Sequence, residues 1–243
     1  MKPRGLIVVG CVCFWAVFPL LPGEWKGEGL PAIAQARGSD DLEALVGRVD
    51  ARYAQIKDFQ ADFVQETHIQ GFDTPLRSSG RVYLKKPGRL RWDYLEPSVE
   101  HIYVHQDQLA MYVPAHNQVL KGSLTMMVST KAPLRLLQGV GKLAEHFSVE
   151  PTGDGEKGEG GLPLLTLIPK PVSGSPPSSL VKIVSEIQPR THLIQSLALH
   201  ENNGNVSTFR FSNFKVNKGL DDAVLILNPP EGVIIVEDFL PKS

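Results

Sequence analysis

The chain has 243 residues and a mass of 26.7 kDa, with 42% hydrophobic and 21% charged side chains and a formal net charge of −1. That length suits one domain with a real core. The near-neutral balance excludes a polybasic nucleic-acid or membrane-surface binder, which needs a cationic face, and it excludes an acidic disordered tail.

Lys2 and Arg4 precede an almost wholly apolar run, residues 5–21, and small-residue patterns follow at Ala32-Ile33-Ala34 and Ala34-Gln35-Ala36. Residues 1–36 therefore read as an export signal cut near 34–37, leaving 37–243 as a single domain. Two other readings of the run are weaker. It is marginally short for a membrane anchor, and the apolar stretch before the lipobox-like Val8-Val9-Gly10-Cys11 is short for a lipid-modified Cys11. Cys11 and Cys13 are the two cysteines, so removal of the signal leaves a chain without disulfides or thiol chemistry.

Residues 39–57 have the pattern of one amphipathic helix. Leu42, Leu45, Val46, Val49, Tyr53 and Ile56 form a single stripe, and Asp40 with Glu43 suits an N-terminal capping pair. Such a stripe serves equally for ordinary core packing or for a lid over a cavity.

After Asp58 the period switches to alternation. Phe59, Ala61 and Phe63 share one face of a strand; residues 80–85 form a second, and in a third Leu90, Trp92 and Tyr94 oppose Arg89, Arg91 and Asp93. Lys86-Pro87-Gly88 is a turn. Ile102 and Val104 continue the alternation, and Leu109, Met111 and Val113 make the next strand, ended by Pro114.

Residues 123–147 break the pattern. Pro133 suits a first helical turn ahead of Leu134, Leu136, Leu137 and Val140, and residues 142–147 suit another short helical piece. The glycine-rich stretch 153–161 and the Pro/Ser-rich stretch 171–179 read as loops. Strands resume at 162–169, 180–187, 192–200 and 205–211, with Asn203-Gly204 as a hairpin turn. Residues 223–227 and 232–237 close the chain as two more. Roughly ten short strands in mainly sequential order, with two or three helices, predict an α+β fold: a curved antiparallel sheet or half-open β-barrel covered by helices.

The chemistry of an enzyme is missing from this pattern. His101 and His105 share a strand face with Tyr103 but lack a third ligand nearby, so they read as surface histidines. There is no G-x-S-x-G elbow, and Asp40-Asp41 and Asp221-Asp222 stand where capping explains them. No catalytic, metal or cofactor site is expected. What remains is a set of inward-facing apolar residues: Phe59, Phe63, Leu90, Trp92, Tyr94, Met111, Phe209 and Phe211. Core packing accounts for them one by one; together, in a strongly curved sheet, they suit a ligand cavity.

Leu84-Lys85-Lys86-Pro87-Gly88-Arg89-Leu90-Arg91-Trp92, followed by Tyr94 and Glu96-Pro97, resembles the LolA family of periplasmic outer-membrane lipoprotein carriers. So do Phe59-Gln60-Ala61-Asp62-Phe63-Val64-Gln65, Phe209-Arg210-Phe211-Ser212-Asn213 and Asn228-Pro229-Pro230-Glu231-Gly232-Val233. The likeness spans roughly residues 40–237.

It implies a half-open barrel whose apolar cavity takes the acyl chains of lipoproteins. An inner-membrane ABC transporter releases them and an outer-membrane receptor accepts them. The carrier itself is a soluble periplasmic monomer with no nucleic-acid partner. It also implies a lid from Leu42, Leu45 and Val49 together with Leu134, Leu136 and Leu137. In the family an arginine before the turn proline holds the lid closed. Lys86 stands at that position here and, lacking the planar fork of donors, is expected to clamp fewer carbonyls. A sensor or regulator of the same fold, binding lipid or protein, and a membrane-anchored receptor-type relative acylated at Cys11 are the alternatives.

Overall fold

The computed structural model describes residues 32–123, 143–153, 156–171 and 179–237. The predicted export segment up to residue 31 and the lid candidates Leu134, Leu136 and Leu137 lie outside the described residues. The chain opens with helix α1 (Ala32–Ala54) and continues into β1 (Asp58–His68), β2 (Leu76–Lys85), β3 (Arg89–Glu96), β4 (Glu100–His105), β5 (Gln108–Val113) and β6 (Gln118–Ser123). A single turn of helix, α2 (Leu143–His146), precedes β7 (Phe147–Glu150), β8 (Leu164–Pro169), β9 (Leu180–Ile187), β10 (Ile194–Glu201), β11 (Val206–Val216) and β12 (Ile234–Glu237).

All twelve strands belong to one open sheet in the order β12-β6-β5-β4-β3-β2-β1-β11-β10-β9-β8-β7. Two antiparallel meanders thus meet where the first strand pairs with β11. The mainly β architecture with sequential antiparallel neighbours is as the sequence indicates, with four corrections.

The helix starts earlier than predicted. The alanine-rich sequence AIAQAR favours helix, so Asp40 and Glu43 lie within α1 rather than capping it. Two short strands, β6 and β7, are not legible in the sequence. Residues 223–227, predicted as a strand, instead form a 3-10 turn at Asp222–Leu225, because the Asp221 carboxylate accepts the Ala223 amide at 3.0 Å and starts a turn. Finally, β12 pairs with β6 in parallel, since the chain crosses the sheet before returning to that edge.

Register explains the core. Phe59, Leu84, Leu90, Val104 and Leu109 are directly opposite one another across β1 to β5, and all five are buried. The next row is Ala61, Val82, Trp92, Ile102 and Met111. These rows join a continuous cluster with Phe209 and Phe211 from β11, Ile183 and Ile187 from β9, and Val49, Tyr53 and Ile56 from α1 and the residues just after it. The helix therefore lies on the apolar face of the sheet, held by the stripe its sequence displays.

The opposite face is polar and partly covered. Residues 220–227 cross it. Lys85 Nζ donates to the Leu220 carbonyl at 2.7 Å, and Arg91 Nη1 donates to the Val224 carbonyl at 3.0 Å. Lys85 and Arg89 both pair with Asp222. Val119 and Leu225 are buried without belonging to the main apolar cluster.

Candidate functional site

Each of the eight predicted cavity residues belongs to the inner-face cluster or packs against it: Phe59, Phe63, Leu90, Trp92, Phe209 and Phe211 are buried, while Tyr94 and Met111 are partly buried at its margin. The rings touch. Phe63 and Trp92 have centroids 4.6 Å apart, Phe63 and Tyr94 meet edge to face at 5.3 Å, and Trp92 meets Phe209 edge to face at 5.6 Å. Among the described residues these rings fill the inner face against one another.

Tight ring packing is made available by Gly80, directly opposite Phe63 across the β1–β2 pair. A Cβ at Gly80 would lie 2.9 Å from Phe63 Cζ and 1.8 Å from the Asp93 carbonyl oxygen. The glycine therefore leaves room for the aromatic ring and for the irregular pairing between Ser79 and Gly80 with β3.

Toward the β1–β2 hairpin the inner face changes character. Gln65 is opposite Ser78 on one side and Phe209 on the other; Thr67 is opposite Ser207, with their hydroxyl oxygens 3.0 Å apart. The Tyr94 hydroxyl donates to Gln65 Oε1 at 2.8 Å, and burial pushes its pKa up to about 12. The floor thus grades from aromatic to hydroxyl and amide along the first strand.

Leu42 and Leu45 of α1 pack half-buried against the cluster and Val49 is fully buried, so burial deepens toward the helix C-terminus. There the helix is tied down. Lys86 Nζ donates to the Tyr53 carbonyl at 2.7 Å, in the last turn of the helix, and the same carbonyl also accepts the Ile56 amide at 3.2 Å. Burial lowers the Lys86 pKa. The turn that presents Lys86 relies on Gly88 at φ +62°, a conformation glycine adopts without steric cost.

Other ties carry no local signal in the sequence. The Tyr53 hydroxyl accepts the Ile194 amide at 3.2 Å. Asn217 accepts the Lys57 amide at 2.7 Å and donates to the Gln55 carbonyl at 3.0 Å, while the buried Asp58 carboxylate accepts the amides of Lys218 and Gly219. Nothing near Asn217 marks it, because its partners are some 160 residues away.

His101 differs from the surface histidine expected. Its Nδ1 lies 2.7 Å from Oδ1 of Asp93, which is buried and also receives Arg91 Nε at 2.8 Å. This polar cluster sits on the outer face, as does a cleft of about 680 Å³ bordered by Tyr103, His105, Lys121, Leu225 and Leu227.

A family model described as "Outer membrane lipoprotein carrier protein LolA" matches residues 54–225, from the end of α1 to the 3-10 turn on the outer face. The chain belongs to the LolA family. Its relatives include an outer-membrane lipoprotein carrier protein of Methylococcus capsulatus, 28% identical over 86% of this chain and 95% of that protein. A second, from Chromobacterium violaceum, bears the same name and is 26% identical over 90% of this chain and 97% of that protein. Among solved structures, an uncharacterized conserved protein from Thermus thermophilus superposes with a TM-score of 0.51 at 14% identity, covering 81% of this chain and 99% of that one, a likeness of fold. LolA is a carrier family rather than an enzyme family. Among the described residues no helix of this member is long and apolar enough to cross a membrane.

Proposed function

We propose that this LolA-family chain carries outer-membrane lipoproteins by taking their acyl chains against the inner aromatic face, under helix α1. The observation that carries the reading is the pairing of a contiguous apolar face with a helical cover that is half-buried or exposed over residues 41–48 and whose last turn is hydrogen-bonded to the sheet side. Such a cover can swing about its anchored end and expose the rings beneath.

The energetics suit transfer. A buried methylene is worth about 0.8 kcal/mol, so one sixteen-carbon chain represents on the order of 12 kcal/mol. A carrier that matched the bilayer would never let go. An interior that refills itself with its own side chains offsets part of that gain, because the cargo must separate rings that already touch. Intermediate affinity then requires an energised donor and a better acceptor: an inner-membrane ABC transporter loads the protein, and an outer-membrane receptor unloads it in the periplasm. In this scheme residues 1–36 are the export signal, Leu134, Leu136 and Leu137 complete the lid, and Lys86 latches the empty state.

Release of radiolabelled lipoprotein from spheroplasts tests the function. The purified chain, with its cognate transporter present, is expected to bring labelled lipoprotein into the soluble fraction. No release under those conditions overturns the reading.

A further inference from the structure

Trp92 carries the one polar atom of its side chain, Nε1, into the interior, and among the described residues no acceptor meets it in hydrogen-bond geometry. The residue is only 6% exposed. Its ring is fixed by Phe63, Phe209 and Phe211, so the indole has little freedom to seek a partner elsewhere. The Tyr94 hydroxyl lies beside the indole with its proton directed to Gln65 and its oxygen free to accept, but the indole N–H does not meet that oxygen in hydrogen-bond geometry. An unpaired buried donor costs stability, whereas a phenylalanine would fill this place without that cost.

The position of the donor is informative. On one side are the wholly apolar rows of Phe59, Leu84, Leu90 and Val104; on the other begins the band of Gln65, Ser78, Thr67 and Ser207. An amphiphile whose tails take the apolar rows has its tail-to-head junction at this boundary. In a diacylglyceryl group that junction consists of ester carbonyls, which accept hydrogen bonds and donate none.

We infer that the Trp92 indole N–H is a binding donor for an ester carbonyl of the diacylglyceryl group on the cargo, setting its depth so that the polar remainder leaves past Gln65 and Thr67. This deepens the carrier reading and rests on it.

The test compares a diacylglyceryl-cysteine peptide with its dialkyl ether analogue, which has the same tails but lacks the carbonyls, on the full chain and on Trp92→Phe. The unaltered chain is expected to bind the ester form about five-fold more tightly, and Trp92→Phe to bind the two alike, as follows from losing one ordinary hydrogen bond. With a carbon-13 label in the esters, the carbonyl band of the bound peptide should lie lower in frequency on the unaltered chain than on Trp92→Phe. Equal affinities for ester and ether on the unaltered chain, or an unchanged band in the variant, overturn the Trp92 contact while leaving the carrier reading intact. Failure of both peptides to bind the unaltered chain overturns the carrier reading, and the contact with it. A competition arm with phosphatidylethanolamine separates sources of the same ester chemistry: displacement assigns the donor to diacylglycerols in general, and its absence to the thioether-linked glyceride of lipoproteins; each supports the contact.

Discussion

Gly80 shows how one residue sets the packing of the interior. Its missing side chain leaves room for Phe63 to lie against Trp92, and a methyl group there would overlap backbone of β3 as well as the ring. Backbone cannot retreat as a flexible side chain can, so the overlap must be relieved by opening the β2–β3 pair. Gly80→Ala is accordingly expected to lower unfolding free energy by about 2 kcal/mol, within the usual range for overpacking a core. A urea titration reading the aromatic near-ultraviolet signal measures it; an unchanged midpoint would show that the sheet yields freely at this point. The sequence shows Phe63, Trp92 and Tyr94 facing inward through simple alternation. It does not show which ring rests on Gly80 or that the indole lacks an acceptor, because both depend on cross-strand register.

Among elements, legibility follows burial. Strands with one covered face, such as β3, display alternation that can be read directly. In β6 the pattern disappears because Val119 is buried with the outer-face elements while its neighbour Leu120 is opposite Met111 of the inner row. Asp93 shows the same limit: it alternates like an exposed residue but becomes buried beneath the crossing segment 220–227.

The central elements β1, β2 and β11 are also joined on the outer face by Asp62, which accepts from Arg81 Nε and Asn213 Nδ2, both at 2.8 Å. Hydrogen bonds from Arg81 first and Asn213 second hold its carboxyl below the ordinary aspartate pKa. A lowered folded-state pKa gives stability that is complete above the unfolded value, near 3.9, and is lost as pH falls through the folded value. Asp62→Asn should therefore lose less stability than the unaltered chain below about pH 4, with a small effect because the pair is partly solvated. Urea midpoints from pH 6 down to pH 2 make the comparison; parallel curves for the two proteins would remove Asp62 from the acid response.

For the whole molecule, the carrier reading proposed above sets the packing of α1 on the inner face against the cargo, in competition for the same apolar surface. The ring cluster, the Val49–Tyr53–Ile56 stripe and the Lys86 tie all hold α1 against the inner face. Whatever stabilises that packing relative to an open state must be overcome on loading, so empty-state stability and cargo affinity are linked with opposite signs. Lys86 is a suitable place to measure the linkage, since its Nζ reaches the α1 terminus. Lys86→Ala removes one hydrogen bond from the closed state and is expected to lower its unfolding free energy by about 1 kcal/mol. The same change should raise affinity for a diacylated peptide by about five-fold and speed hydrogen exchange in the last turn of α1 by a similar factor. Lys86→Arg, whose guanidinium offers more donors than an ammonium on this stem, is expected to shift all three quantities the other way. A Lys86→Ala protein that lost stability and affinity together would mean that the lysine shapes the loaded state itself, and the competition between side chains and cargo would have to be located elsewhere on the inner face.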